Sequence, residues 1–138
     1  QIHRIAGPDS AADVAAAAAE QAAELHQVLT SRFCSDNTLM DVTLLSVGSD
    51  GHIASLFPGS LQLFSNAAVT AVRDSPKPPA TRVTWTYPTI NASRAVWLLA
   101  TGSDKRQAVA ALRAGVNLER CPASGVHGRN DTRLYTDL

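Results

Sequence analysis

The feature that most constrains the fold is an apolar run that ends at a glycine-rich loop. Residues 41–47 are mostly aliphatic or β-branched, and the next residue is Gly48. A short apolar run bounded by a glycine is typical of a buried strand. The sequence therefore predicts a strand from Asp41 to Val47 that delivers the chain directly into a loop.

The loop after this strand carries two side chains suited to proton transfer, Asp50 and His52. Ligands of open parallel sheets bind outside the carboxyl ends of the strands, and this loop follows such an end. We expect Gly48 and Gly51 to permit positive φ angles and to let a ligand approach the backbone. We also expect the imidazole of His52 to be exposed at the tip of the loop.

The spacing of Asp50 and His52 suggests a general base with an orienting carboxylate. The carboxylate is near enough to fix the tautomer of the imidazole and to support its charged form. The alternative is a glycine-rich turn in which the aspartate caps a helix and the histidine is only solvated. On Asp-Gly-His alone, both interpretations stay open.

The composition describes one globular domain of ordinary size. Of 138 residues, 45% are hydrophobic and 17% are charged, and 12 basic residues balance 12 acidic ones. This balance gives no general attraction to nucleic acid or to an anionic membrane, so neither is an expected partner. The alanine-rich tract from Ala11 to Ala23 is interrupted by charged residues and predicts a helix, not a membrane span. With no secretory signal at the start, a cytoplasmic location is expected.

The two cysteines, Cys34 and Cys121, lie far apart and outside any metal-binding motif. In a reducing cytosol two free thiols are expected, although the spacing is also compatible with a bridge.

The rest of the chain predicts alternating helices and strands. Asp9 or Ser10 is expected to cap a helix that runs to about Leu29 and packs its apolar face on the sheet. Ser75 to Pro79 is expected to form a rigid extended loop, because its three prolines fix φ and lack N–H donors. The predicted strands are 68–72 (in the same sheet as 41–47), 82–86, 95–100 (fully buried) and 133–136, and a short helix is predicted at 88–93.

A second candidate site follows the strand at 95–100. Gly102 ends that strand, and Ser103 or Asp104 is expected to cap a helix that continues to about Ala114. Lys105 then lies in the first turn, where free backbone N–H groups and an ammonium together favour an anion. The alternative is an ordinary surface lysine.

Three segments resemble, in order and in separation, the signatures of a known family. They are GSDGHIASLFPG at 48–59, DSPKPPATRVT at 74–84 and VWLLATGSDK at 96–105. Together they resemble the 6-phosphogluconolactonases, which share a superfamily with the glucosamine-6-phosphate deaminases. The resemblance implies an α/β fold, Rossmann-like, with a mostly parallel sheet flanked by helices.

The resemblance also implies that residues 1–138 are the carboxyl-terminal part of a single domain. The family's domain opens with a glycine-rich phosphate loop and an Asp-Glu-Arg segment, and neither occurs in this sequence. The amino-terminal part of the same domain is therefore a candidate partner.

The activity that the resemblance implies is hydrolysis of 6-phosphoglucono-1,5-lactone to 6-phosphogluconate, with no metal or cofactor. His52 is the expected base and Asp50 its orienting group, with loop N–H groups around Gly48 to Gly51 facing the oxyanion. Lys105 is expected to hold the substrate phosphate.

Two other basic residues lie in the second signature. Arg82 is a further candidate contact for the substrate phosphate, and the alternative is an ion pair with Asp74. Lys77 is expected to face solvent.

Two other functions stay open. One is a deaminase or isomerase of the same superfamily, in which Asp-Gly-His is followed by Asn-Glu-Pro; this chain has Leu56-Phe57-Pro58 there instead. The other is a sugar-phosphate-binding module or remnant without catalysis. Such modules normally lose the histidine or add a DNA-binding domain, whereas His52 is present here.

Overall fold

The structure is a computed structural model that describes residues 4–5, 13–31 and 38–138. Within these residues three helices and five strands alternate along the chain, joined by loops and short 3₁₀ turns. They are α1 (Val14–Ser31), β1 (Val42–Ser46), β2 (Val69–Val72), β3 (Arg82–Trp85), α2 (Tyr87–Asn91), β4 (Ala95–Ala100), α3 (Arg106–Arg113) and β5 (Asp131–Thr136).

The central sheet contains three parallel strands in the order β1-β4-β5. Ser46 of β1 pairs with Leu99 of β4, and Leu99 pairs with Tyr135 of β5. The carboxyl ends of all three strands therefore lie at one edge of the sheet, which is where ligand sites form in parallel sheets. This confirms the predicted α/β class and the parallel sheet flanked by helices.

Strands β2 and β3 form a separate antiparallel sheet of two strands. The prediction that 68–72 is a second strand of the central sheet is therefore wrong. The proline-containing loop between the two strands reverses the chain, so β3 pairs with β2 and not with β1. Helix α1 packs on this smaller sheet through Ala18 and Leu25, which contact Val69 in a small apolar cluster.

Helix α1 is capped by Asp13. Its Oδ1 accepts the N–H groups of Ala15 and Ala16 at 2.7 and 2.8 Å, as an N-cap carboxylate does. These hydrogen bonds lower the pKa of the Asp13 carboxyl. The predicted caps, Asp9 and Ser10, lie outside the described residues, as does Cys34.

One face of the central sheet forms the main core. Val96 and Leu98 of β4 pack there with Val109 of α3, and all three are buried. On the opposite face, Leu44 is 63% exposed and Leu99 is 42% exposed. The prediction that 95–100 is fully buried is therefore wrong at Trp97, which is half-buried, and at Leu99, which is exposed. Parallel sheets are usually covered on both faces, and this one presents an open apolar face.

Candidate catalytic site

The loop after β1 is a tight turn held by its own backbone. The N–H of Gly48 donates to the carbonyl of His52 at 2.8 Å, and the N–H of Gly51 donates to the carbonyl of Gly48 at 2.9 Å. Residue 47 still belongs to the sheet, since its N–H donates to the carbonyl of Leu99 at 2.9 Å. The loop is thus fixed to the carboxyl edge of the central sheet.

Asp50 and His52 meet within this loop. Nδ1 of His52 lies 2.6 Å from Oδ1 of Asp50, and the backbone N–H of His52 donates to the same oxygen at 3.3 Å. Partial burial raises the pKa of the Asp50 carboxyl, but the hydrogen bonds from His52 outweigh it, so the pKa is lowered overall. The carboxylate is thus ionised at neutral pH and accepts the Nδ1 hydrogen, which leaves Nε2 as the basic atom.

Each glycine of the loop is required for a different reason. At Gly48 an added Cβ would lie 1.9 Å from Nδ1 of His52 and 2.7 Å from Oδ1 of Asp50, so only glycine fits beneath the pair. At Gly51 φ is +83°, and an added Cβ would lie 2.9 Å from Sγ of the buried, free Cys121. The predicted positive φ angle is confirmed at Gly51 and wrong at Gly48.

The imidazole of His52 is partly enclosed. Its side chain is 17% exposed and packs on the ring of Phe57, with ring centroids 4.6 Å apart. The prediction of an exposed imidazole is therefore wrong. Phe57 is itself buried, so it forms a fixed apolar wall beside the basic nitrogen.

Two predicted amide donors are already engaged. The N–H groups of Gly48 and Gly51 make the loop's own hydrogen bonds, so neither points to a developing oxyanion in this structure. These two N–H groups are therefore not free for the predicted oxyanion contact, which stays a prediction for the rest of the loop. What both glycines provide is space for neighbouring atoms.

Lys77 also belongs to the site, contrary to the prediction that it faces solvent. Its Nζ lies 3.4 Å from Oδ1 of Asp50 and 3.4 Å from Nδ1 of His52, while the side chain remains 41% exposed. The only sequence signal was its place between prolines, which restrict the directions that the side chain can take.

Arg82 holds the proline loop. Its Nη2 donates to the carbonyls of Lys77 and Pro78, both at 2.8 Å, and its Nε donates to the carbonyl of Pro79 at 2.9 Å. These bonds take the place of the alternative ion pair with Asp74. The guanidinium carbon also lies 5.6 Å from the centroid of the Phe57 ring.

Lys105 follows β4 on the neighbouring loop. Gly102 has φ of +94°, and a 3₁₀ turn (Ser103–Lys105) leads into α3. The predicted side-chain cap is wrong, since neither Ser103 nor Asp104 caps the turn. The Nζ of Lys105 lies 3.4 Å from Oδ2 of Asp104. Because β1 and β4 are parallel neighbours, this loop and the histidine loop leave the same edge of the sheet.

The fold and this site define an α/β protein with a hydrogen-bonded aspartate–histidine pair at the carboxyl edge of a parallel sheet. A family model for glucosamine-6-phosphate isomerases and 6-phosphogluconolactonases matches residues 1–135. The chain belongs to this family. Among the described residues, none of the helices has the length and apolarity needed to cross a membrane.

Named relatives are similar over much of the chain. The 6-phosphogluconolactonase of Streptomyces coelicolor is 42% identical over 99% of this chain and 54% of its own length. The enzyme of the same name from Mycobacterium tuberculosis is 50% identical over 70% of this chain and 40% of its own. A crystal structure of 6-phosphogluconolactonase from Thermotoga maritima, 26% identical, superposes with a TM-score of 0.71 over 87% of this chain and 50% of that one. The chain thus spans about half the length of these relatives.

Proposed function

We propose that the protein hydrolyses 6-phosphoglucono-1,5-lactone to 6-phosphogluconate, as a carboxylic ester hydrolase of the oxidative pentose phosphate pathway. The observation that carries this proposal is the 2.6 Å contact between Nδ1 of His52 and Oδ1 of Asp50. The names of the relatives and the family match support the choice of substrate. A cytoplasmic location is proposed with the pathway.

His52 acts as base and then as acid in this reaction. Nε2 takes a proton from a water molecule as the water oxygen bonds to the lactone carbonyl carbon. The bond between that carbon and the ring oxygen then breaks, and the imidazolium returns the proton to the ring oxygen. Asp50 keeps Nδ1 protonated throughout, so that Nε2 always faces the reacting atoms.

The two other candidate basic residues bind the phosphate at the far end of the substrate. Lys105 offers an ammonium beside the amino end of α3, where backbone N–H groups favour an anion. Arg82 uses three of its five N–H groups on carbonyls, and its Nη1 retains two for a phosphate oxygen. A remote anchor of this kind positions the carbonyl for attack.

The residues after the histidine favour a lactonase over a deaminase. Leu56 and Phe57 are both buried in the core, and they contribute no carboxylate to the site. The site therefore lacks, at this position, the additional acid that a deaminase of the superfamily would carry.

The open face of the central sheet supports the proposal of a covering partner. Val42, Leu44 and Tyr135 are exposed there, at the face opposite the main core. Because the chain spans about half the length of its relatives, we propose that the remaining part of the same domain covers this face.

The test compares lactone hydrolysis by the natural protein and by its His52→Ala variant, after the intact mass of the sample has been measured. We expect kcat/KM to fall about 10²-fold or more in the variant. The control is Arg129→Ala, since Arg129 is exposed at the opposite edge of the sheet. Unchanged activity in His52→Ala would contradict the proposal. A natural protein that neither hydrolyses the lactone nor binds 6-phosphogluconate would identify the chain as a non-catalytic remnant.

A further inference from the structure

The ammonium of Lys77 faces both members of the acid–base pair. It lies 3.4 Å from Oδ1 of Asp50, the oxygen that accepts the Nδ1 hydrogen of His52, and 3.4 Å from Nδ1 itself. Nδ1 donates its hydrogen to Asp50, and the ammonium of Lys77 is also a donor. The contact between Nδ1 and Lys77 is therefore not a hydrogen bond. It is electrostatic, and it is repulsive when the imidazole is protonated.

The backbone at Lys77 is held on several sides. The Oγ of Ser75 donates to the carbonyl of Lys77 at 2.7 Å and accepts its N–H at 3.3 Å. Nη2 of Arg82 donates to the same carbonyl at 2.8 Å. A proline on each side restricts the backbone further. These restraints fix the backbone from which the Lys77 side chain extends to Asp50 and His52.

The charges of the three side chains give Lys77 a function. With Asp50 ionised, Lys77 charged and His52 neutral, they sum to zero. When His52 takes the proton of the attacking water, the sum becomes one positive charge at contact distances. Lys77 therefore opposes the stabilisation that Asp50 gives to the imidazolium, and it does so through the same carboxylate oxygen.

We propose that Lys77 is a positioning residue that keeps His52 neutral before the reaction and drives the proton from the imidazolium to the departing ring oxygen. The proton is the one taken from water, so no further reactant is needed. This inference rests on the proposed lactonase function. It assigns to Lys77 a role on the histidine, whereas Lys105 and Arg82 are assigned to the substrate.

In the described part of the chain, two charged side chains contact the imidazole. They are Asp50, on the same loop, and Lys77, on the proline loop. The Phe57 ring contacts the imidazole, and the guanidinium carbon of Arg82 lies 5.6 Å from the centroid of the same ring. On the neighbouring loop, Lys105 pairs with Asp104. Beneath Gly51 lies the thiol of Cys121.

The test uses Lys77→Met, which removes the charge and keeps most of the length, and Lys77→Arg, which keeps the charge. The first measurement is the pH at which kcat/KM falls on the acid side. The second is the midpoint of the His52 imidazole titration, followed by NMR without substrate. Lys77→Met is expected to move both to higher pH by about 0.5 to 1 unit, an effect limited by the exposure of the ammonium. Lys77→Arg is expected to leave both midpoints close to those of the natural protein, because the positive charge is kept.

One control variant and one alternative variant make the result specific. Arg129→Met removes an exposed positive charge at the opposite edge of the sheet and is expected to shift neither midpoint. Lys77→Gln repeats the charge removal with a polar side chain, in case the methionine variant fails to fold.

The outcomes separate this inference from the proposed function. If the imidazole titration does not move in folded Lys77→Met or Lys77→Gln, the inference is overturned whatever the activity. If KM rises while both midpoints stay in place, Lys77 binds the substrate and the inference is again overturned. If the titration moves but the natural protein does not hydrolyse the lactone, the effect of Lys77 on His52 stands and the lactonase proposal fails.

Discussion

The imidazole of His52 occupies the space that any side chain at Gly48 would need. An added Cβ at Gly48 would lie 1.9 Å from Nδ1, and the same atom would lie 2.7 Å from Oδ1 of Asp50. The absence of one carbon atom at residue 48 is thus a condition for the hydrogen bond between His52 and Asp50. This relationship leads to the first of four predictions.

Gly48→Ala is expected to displace the imidazole by about 1 Å or more and to lower kcat/KM about 10²-fold, because proton transfer depends on the position of Nε2. Since φ at Gly48 is not positive, the variant is expected to fold. Steady-state kinetics and a thermal melt measure the two effects.

The matched control is Gly115→Ala. An added Cβ at Gly115 meets no atom within 4 Å, but φ there is +65°. We expect this variant to lose about 1 kcal/mol of stability and to keep its activity. Full activity in Gly48→Ala would mean that the loop can open without cost to catalysis.

The pH dependence of stability is expected to include a contribution from Asp50. Its pKa in the folded protein is lowered from 3.8, so the contribution is complete above that pH and is lost as the pH falls through the folded value. Urea titrations between pH 7 and pH 3 measure this contribution. At neutral pH the unfolding free energy of Asp50→Asn is expected to be lower than that of the natural protein, by at most about 1 kcal/mol. The difference is expected to shrink as the pH falls.

The same variant tests the role of Asp50 in orienting His52. An asparagine can present its NH₂ group to Nδ1, which favours the wrong tautomer, so kcat/KM is expected to fall about 10²-fold or more at neutral pH. Thr132→Ala at the far edge of the sheet is the comparison for stability, because the hydroxyl of Thr132 accepts a backbone N–H but no group of the site. If the difference in unfolding free energy between Asp50→Asn and the natural protein grows as the pH falls, the lowered pKa of the Asp50 carboxyl is contradicted.

Arg82 is expected to act on the site through the proline loop. Arg82→Met removes the hydrogen bonds to the carbonyls of Lys77, Pro78 and Pro79, so Lys77 loses its fixed position. In a double-mutant cycle with Lys77→Met, the two effects on the acid-side midpoint are expected to be non-additive, with little further shift from the second change. Arg82→Lys is not expected to rescue, because an ammonium cannot bridge the same carbonyls as a planar fork.

The same cycle tests whether Arg82 also binds phosphate. If Nη1 contacts the substrate, Arg82→Met raises KM to the same degree with and without Lys77. An unchanged KM in both backgrounds would leave Lys105 as the phosphate contact and would limit Arg82 to holding the loop.

A charged residue introduced on the open face of the central sheet tests whether another part of the domain covers that face. If another part of the domain covers the face, Leu44→Asp in the natural protein is expected to lower the free energy of unfolding by about 2 kcal/mol or more, because a carboxylate would replace a buried leucine. Leu61→Asp is the control, since Leu61 is 85% exposed and lies in a 3₁₀ turn (Leu61–Phe64), outside the strands of the central sheet. Equal effects of the two variants would show that the face is open to solvent.

Local patterns were sufficient to predict much of the architecture. The strand at 41–47 is observed as β1 (Val42–Ser46), and the strand at 95–100 is β4 with the predicted bounds. Asp50 and His52 are two residues apart, so the turn that contains them brings them together. Such features depend on neighbours in sequence, which is why periodicity and turn chemistry predict them.

The errors concern partners that are distant in sequence. Residues 68–72 do form a strand, but no local signal shows that β2 pairs with β3 in a second sheet. Lys77 was expected to face solvent, and only the packing of the proline loop brings it to Asp50. The partial enclosure of His52 has a nearer cause, because the ring of Phe57, five residues further on, packs against the imidazole.

The two sheets contribute unequally to the site, and this has a consequence for the order of folding. Asp50 and His52 need only a turn of a few residues, whereas Lys77 must close a chain segment of 25 residues from the hairpin of the second sheet to reach the same imidazole. Local contacts form before distant ones because closing a longer loop costs more entropy. During refolding, the imidazole of His52 is therefore expected to contact Asp50 first and Lys77 only later, so the proposed effect of Lys77 begins only after the second sheet has formed.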